Sequence, residues 1–207
     1  MDYKAIAEDA VKILLDYETK IKDWKHYKTK NGVTMSYRVS NEMDGYIYKS
    51  EYVLDAPVEK VVDLTVDNDK HLKWDTGVSK LETIETLDEH TAIVRSLTPS
   101  FLLGLISPRE FIDILGLREF PERNTTFIFF VGVEHPKCPE LDGIVRGKNY
   151  PSGTFLSPVV GNENKTQALD FVQFDVNLSP KKLADQVSST GIFDYIRDLK
   201  RGLQTLK

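Results

Sequence analysis

The strongest constraint in this sequence is a long series of strand-like segments between two amphipathic helical stripes. Near each end of the chain, apolar residues recur every three or four positions, over residues 3–21 and from Ser179-Pro180 to Leu206. The segments between the stripes are rich in β-branched and aromatic residues and lie at 24–28, 33–39, 46–54, 78–87, 91–97, 110–120, 125–134, 143–149, 153–159 and 166–177. This succession predicts an α+β fold in which a strongly curved antiparallel sheet surrounds the long C-terminal helix.

Local signals refine this prediction. Asn31-Gly32 tolerates positive φ and indicates a hairpin turn, and apolar spacing after Asp55-Ala-Pro57 indicates a short helix. Residues 125–133 are apolar on both strand faces, so both faces are covered or one lines an apolar pocket. In the last helix, Gly191 costs about 1 kcal/mol. A kink there and a harmless local cost are both compatible with the sequence.

Length and charge limit the classes of protein to consider. With 207 residues, 41% of them hydrophobic, we expect a single domain spanning 1–207. The net charge is −5 and no Lys/Arg block is present, which disfavours a nucleic-acid partner. The N-terminus lacks an apolar signal core and Cys138 is the only cysteine. We therefore expect a soluble, cytoplasmic protein without an internal disulfide.

A short apolar segment lies between Pro99 and Pro108 and fits neither helical nor strand periodicity. Its bulky residues are Phe101, Leu102, Leu103, Leu105 and Ile106. An exposed apolar loop is unfavourable unless it covers a cavity, touches a membrane or packs inward as core. The sequence leaves the inward-packing and the lid or membrane alternatives equally open.

The sequence contains no motif that announces catalysis, a cofactor or a metal. It has no Gly-rich phosphate loop, no nucleophile elbow and no Cys-x-x-Cys, and its histidines are scattered singly. We therefore expect no enzymatic activity, no cofactor and no metal ion. A basic cluster near the C-terminus either stabilises the helix dipole or contacts anionic lipid, and comprises Arg197, Lys200, Arg201 and Lys207.

Three segments, KWDTGVSKLE, ISPREFIDIL and GIVRGKNYPSGTFLSP, occur in this order ahead of the terminal amphipathic helix. Together they resemble the START (StAR-related lipid transfer) family, and most closely the small, free-standing members of its cholesterol and bile-acid binding branch. The resemblance implies a helix-grip fold, with nine antiparallel strands around the terminal helix and one lipid in the tunnel between them. It also implies that residues 99–107 and the terminal helix form the gate over the pocket.

Some positions depart from the family pattern. The acid and the arginine that steroid-producing members carry in the pocket fall on Ser96 and Leu115, so the resemblance implies no ion-pair anchor here. The usual His-Pro-Cys-Gly stretch reads Tyr150-Pro-Ser-Gly153. The link at 177–180 is shortened, which could move the lid helix relative to the loop.

Strand alternation and the resemblance give a set of candidate ligand-binding residues. Alternate positions of two neighbouring strands would face the pocket. The candidates are Val94, Ser96, Thr98, Arg109, Phe111, Asp113, Leu115, Asn149 and Phe193. Ser96, Thr98 and Asn149 offer neutral donors and acceptors. Arg109 and Asp113 serve either the ligand or a structural polar network at the end of the sheet, because burial without partners would be costly.

These observations predict a non-enzymatic carrier that binds one sterol-like lipid, contacts a membrane surface transiently and acts as a monomer. Three alternatives remain at this stage. The first is a ligand-sensing module whose loop docks a protein. The second is a carrier of another lipid, such as a bile acid or a phospholipid. The third is an enzyme on the same architecture, with Arg109, Asp113 and Asn149 as the only candidates near the cavity.

Overall fold

The computed structural model describes residues 1–101 and 104–206. Its helices are α1 (Tyr3–Thr19), α2 (Val58–Val66), α3 (Asn68–His71) and α4 (Lys181–Thr205). Its strands are β1 (Lys25–Lys30), β2 (Val33–Val39), β3 (Tyr46–Leu54), β4 (Lys80–Asp88), β5 (Thr91–Leu97), β6 (Arg109–Phe120), β7 (Thr125–Gly132), β8 (Val145–Arg146), β9 (Lys148–Asn149), β10 (Ser152–Val159), β11 (Asn162–Val172) and β12 (Phe174–Asp175).

Nine strands form one antiparallel sheet in the order β1-β2-β3-β11-β10-β7-β6-β5-β4. The short β8 adds a parallel pair to β6, and β9 pairs with β12 in a separate two-stranded ribbon. The sheet is not closed, since β1 and β4 form its two edges. The α+β class expected from the sequence and the nine-stranded antiparallel sheet implied by the family resemblance are confirmed.

Each face of the sheet is covered by a helix and carries its own apolar core. We call the face that packs against α4 the inner face and the face that packs against α1 the outer face. Strand β7 contributes to both cores, because Ile128 belongs to the inner core whereas Phe127 and Phe129 belong to the outer core. This explains why residues 125–133 are apolar at consecutive positions.

Helix α4 is held firmly only in its C-terminal half. Ile192, Ile196 and Leu199 are buried in the inner core. Gly202 lies so close to Trp74 that a Cβ atom there would be 2.6 Å from the Trp74 Cβ atom. The half before Ser188 is intermediate or exposed throughout. The helix is continuous through Gly191, where an added Cβ would meet nothing within 4 Å, so the glycine does not interrupt it.

Two segments that were each predicted as one strand are divided in the structure, and each division has a local reason. Residues 143–149 contain the separate strands β8 and β9 because the chain passes Phe111 closely at Gly147, where a Cβ would lie 2.4 Å from the Phe111 ring. Residues 166–177 are divided between β11 and β12 at Gln173. The Gln173 side chain donates to the carbonyl oxygen of Pro151 at 2.9 Å and accepts from Ser40.

Candidate functional site

The pairing of β5 with β6 brings five of the candidate residues to the inner face. Val94 lies opposite Asp113, Ser96 lies opposite Phe111, and Leu115 lies opposite Ala92. Directly opposed residues of antiparallel strands project from the same face. Leu115 packs against the inner core below α4, which identifies that face as the inner one.

The inner face retains apolar side chains that are not fully covered. Although they pack against the inner core, these side chains are only partly buried, and they include Leu115, Leu117, Val172, Phe174 and Phe193. In a tightly packed interior such side chains would be inaccessible to water. These partly buried apolar side chains lie where the sheet and α4 meet, and they would give a ligand held there the mostly apolar surroundings that a lipid requires.

Asp113 is the most unusual of the candidate residues because its carboxyl is buried and forms no ion pair with any described residue. Asn149 Nδ2 donates to Asp113 Oδ2 at 2.8 Å. Strand β9 can approach there only because Gly132 has no side chain, since a Cβ would lie 2.5 Å from the Asn149 carbonyl oxygen. Burial raises the pKa of Asp113 to about 7, although the hydrogen bond from Asn149 lowers this pKa. The carboxyl is therefore partly protonated at neutral pH.

Arg109 and Thr98 bind backbone groups. Arg109 Nε donates to the carbonyl oxygen of Val176 at 2.8 Å, and its terminal nitrogens donate to the carbonyl oxygens of Ser107 and Asn177. The Arg109 amide donates to Thr98 Oγ1 at 2.9 Å. Burial lowers the Arg109 pKa. These hydrogen bonds attach the Arg109 side chain to backbone groups at the end of the sheet.

The described side chains of the apolar loop differ in burial. Phe101 and Ile106 close it through two backbone hydrogen bonds of 2.9 and 3.1 Å. Ile106 is buried and packs inward, whereas Leu105 is 87% exposed. Gly104 has φ of +90°, a conformation that favours glycine. Leu102 and Leu103 lie outside the described residues.

Sequence reasoning missed a second polar group on the inner face. Ser50 of β3 lies opposite Asp170 of β11, which in turn lies opposite Thr154 of β10. Tyr52 donates its hydroxyl to Asp170 Oδ1 at 3.1 Å. Asp170 is 2% exposed, and burial raises its pKa to about 7. The available signal was an acid at an inward position of an otherwise apolar alternation, between Ala168 and Val172.

The described residues of the C-terminal basic cluster have structural partners. Arg197 and Arg201 pair with Asp198, and Lys200 Nζ donates to the Asn31 carbonyl oxygen. Lys207 lies outside the described residues.

Across residues 1–101 and 104–206, no three His, Cys, Asp or Glu side chains are grouped as a metal site. None of the helices in that part of the chain is long and apolar enough to cross a membrane.

A surface cavity of about 1100 Å³ lies on the other side of the sheet. Its lining includes Tyr3 and Ile6 of α1, Ile112 of β6, and the loop residues His135 and Cys138. His135 accepts or donates a hydrogen bond of 3.1 Å with Glu85. This outer cavity does not include α4 or the inner face.

Comparison with known proteins connects this geometry to a family. The START domain family model matches residues 5–207. StAR-related lipid transfer protein 5 of Mus musculus is 32% identical over 204 residues, covering 97% of this chain and 93% of that protein. StAR-related lipid transfer protein 6 of Homo sapiens is 29% identical over 206 residues, covering 99% and 93%.

A solved structure agrees with these sequence comparisons. That of human StAR-related lipid transfer protein 5 superimposes with a TM-score of 0.90 at 29% identity, covering 97% of this chain and 96% of that one. The likeness therefore extends over nearly the whole length of both chains.

Proposed function

Because this chain belongs to the START domain family, we propose that it is a carrier that binds one sterol-like lipid between the inner face and α4. It transfers the lipid between membranes and catalyses no reaction on it. The observation that carries the proposal is the set of partly accessible apolar side chains, Leu115, Leu117, Val172, Phe174 and Phe193, between the sheet and the helix that covers it. We propose that residues 1–207 act as one lipid-binding domain, as a monomer in the cytoplasm.

The charge of the inner face supports an uncharged lipid. No ion pair among the described residues includes Asp113 or Asp170, and both carboxyls have a pKa of about 7. Ser96 and Leu115 are neutral as well. A phospholipid phosphate would need cations in the pocket, and the one arginine among the candidates, Arg109, donates to three backbone carbonyls. These features favour a sterol over a phospholipid and over an ionised bile acid.

Burial of the lipid supplies the affinity. A sterol-sized ligand that buries a few hundred Å² of apolar surface gains on the order of 10 kcal/mol at about 25 cal/mol per Å². Binding costs reduce this value. Polar groups such as Ser96, Thr98 and Asn149 then need only to orient one end of the ligand.

The gate comprises the apolar loop and the N-terminal half of α4. Leu105 is the described loop side chain available to a bilayer, since it is 87% exposed. The N-terminal half of α4 is lightly held, with Lys181 paired with Asp44 at 2.6 Å and the Tyr48 hydroxyl donating to the Asp185 carbonyl oxygen at 3.5 Å. Separation of these two elements at a membrane would open the cavity at its end.

Native mass spectrometry of the purified protein tests the proposal, followed by extraction and identification of the bound lipid. We expect one sterol-sized molecule per chain. A phospholipid mass, or a protein that stays ligand-free after incubation with sterol-containing liposomes, would contradict it.

A further inference from the structure

Two buried side-chain oxygens on the inner face have no hydrogen-bond partner among the described residues. They are Asp113 Oδ1 and Ser50 Oγ. Asp113 is 5% exposed and Ser50 is 1% exposed. Buried polar atoms in native proteins almost always have a partner, and an unpartnered one costs free energy. The other described atoms without a hydrogen-bond partner belong to Glu18, Arg38 and Arg95, which form ion pairs and lie away from the inner face.

The surroundings of Ser50 limit what its partner can be. Ser50 lies opposite Met35 on one neighbouring strand and Asp170 on the other. Asp170 already accepts from the Tyr52 hydroxyl at 3.1 Å. In the described part of the chain no cation pairs with Asp113 or Asp170, so the anionic group of an ionic ligand would find no partner charge beside them. An uncharged group that both donates and accepts, a hydroxyl, fits this environment.

The two unpartnered oxygens are too far apart for one ligand group to reach both. Asp170 shares a cross-strand row with Thr154, Ile128 and Leu117. This row crosses from β11 to β6 over three strand spacings, so Asp170 and Leu117 are about 14 Å apart across the strands. Asp113 lies about 13 Å from Leu117 along β6. Ser50 lies one strand further from Asp113. The separation is comparable with the length of a sterol including its side chain.

We propose that Ser50 and Asp170 form a second polar site of the lipid pocket, and that the bound lipid is a rigid, uncharged molecule with a hydroxyl at each end. One hydroxyl meets Asp113 and Asn149, and the other meets Ser50 beside Asp170. The inference rests on the proposed function, because it assigns the lipid to the cavity between the inner face and α4.

The test compares two probes by displacement of a fluorescent sterol. One probe is cholesterol, and the other is a cholesterol derivative with a second hydroxyl at the end of its side chain. The wild-type protein should bind the diol about two- to tenfold more tightly, as one additional hydrogen bond predicts. Ser50→Ala should abolish this preference by weakening diol binding, and the melting temperature should stay unchanged, since the substitution removes an oxygen that has no partner among the described residues.

Ser36→Ala is the matched control. Ser36 is a buried serine on the neighbouring strand, but it lies opposite Lys49 and so belongs to the outer face. This variant should keep the wild-type preference for the diol. If the wild-type protein bound both probes with equal affinity, the inference would be overturned and the proposed function would stand. The same conclusion would follow if Ser50→Ala kept the wild-type preference for the diol. Failure of both probes to bind the wild-type protein would overturn the proposed function, and the inference with it.

Discussion

Arg109 Nε donates a 2.8 Å hydrogen bond to the carbonyl oxygen of Val176, 67 residues further along the chain. The same guanidinium donates to Ser107, at the end of the apolar loop, and to Asn177, in the segment that leads into α4. One buried side chain therefore connects the base of the apolar loop with the segment that leads into α4, the two elements of the proposed gate. The described residues provide it with no carboxylate partner, so its charge is stabilised by backbone dipoles.

Replacing Arg109 with Met should lower stability strongly. The variant would leave three carbonyl oxygens without their donor, and we expect a loss of about 2–4 kcal/mol. For a chain of this size that corresponds to a fall in melting temperature of roughly 5–15 °C. Arg118→Met is the control, because Arg118 pairs with the exposed Glu8 and should lose at most about 1 kcal/mol. Equal shifts in the two variants would show that Arg109 does not connect the gate elements.

Leu105→Asp should slow sterol transfer between liposomes while the melting temperature stays within a few degrees. The side chain is 87% exposed, so the change removes apolar surface from the loop and costs little in the folded protein. Val160→Asp, at a fully exposed position in the turn between β10 and β11, should leave transfer unchanged. A transfer rate reduced equally in both variants, or a large loss of stability in the first, would argue against the gate assignment.

Two glycines of α4 should respond to alanine in opposite directions. Gly202→Ala places a Cβ atom 2.6 Å from the Trp74 Cβ atom and should destabilise by about 1–3 kcal/mol despite alanine's better helix propensity. Gly191→Ala meets nothing within 4 Å and should stabilise by about 0.5–1 kcal/mol. Urea unfolding measures both. The same sign for both variants would contradict the described packing of α4.

Asp170→Asn should remove part of the pH dependence of folding. Burial raises the folded-state pKa of Asp170 from 3.8 to about 7, so the folded protein binds a proton more tightly than the unfolded chain does. Wild-type stability should therefore fall as the pH rises from about 4 to about 7 and level off above that. The effect is at most about 4 kcal/mol. In urea unfolding, Asp170→Asn should gain stability relative to wild type as the pH rises across this window. If the stabilities of the two proteins instead varied in parallel with pH, Asp170 would be in contact with water or a cation.

Local pattern was sufficient for much of the fold. The bounds of β2, β3 and β5 coincide with the sequence predictions, because alternation of apolar residues and flanking turn residues are local signals. The same alternation placed Val94 and Ser96 on one face. It could not place Gly147 against Phe111, since that close approach depends on where distant segments cross.

The polar groups of the inner face were harder to predict for the same reason. Ser50 and Asp170 are 120 positions apart and meet only through the pairing of β3 with β11. Two of the three carbonyl partners of Arg109 likewise come from the distant 176–177 segment. Which charged residues become buried together is decided by sheet register, and a single sequence carries little information on register between distant strands.

Photocrosslinking tests the location of the lipid most directly. A cholesterol analogue with a photoactivatable group would be bound to the wild-type protein, irradiated and mapped by peptide mass spectrometry. Our account predicts labels on inner-face residues and α4, such as Val94, Leu115 and Phe193, competed by unlabelled sterol. Labels concentrated on Tyr3, His135 and the rest of the outer cavity, with the inner face unlabelled, would contradict it.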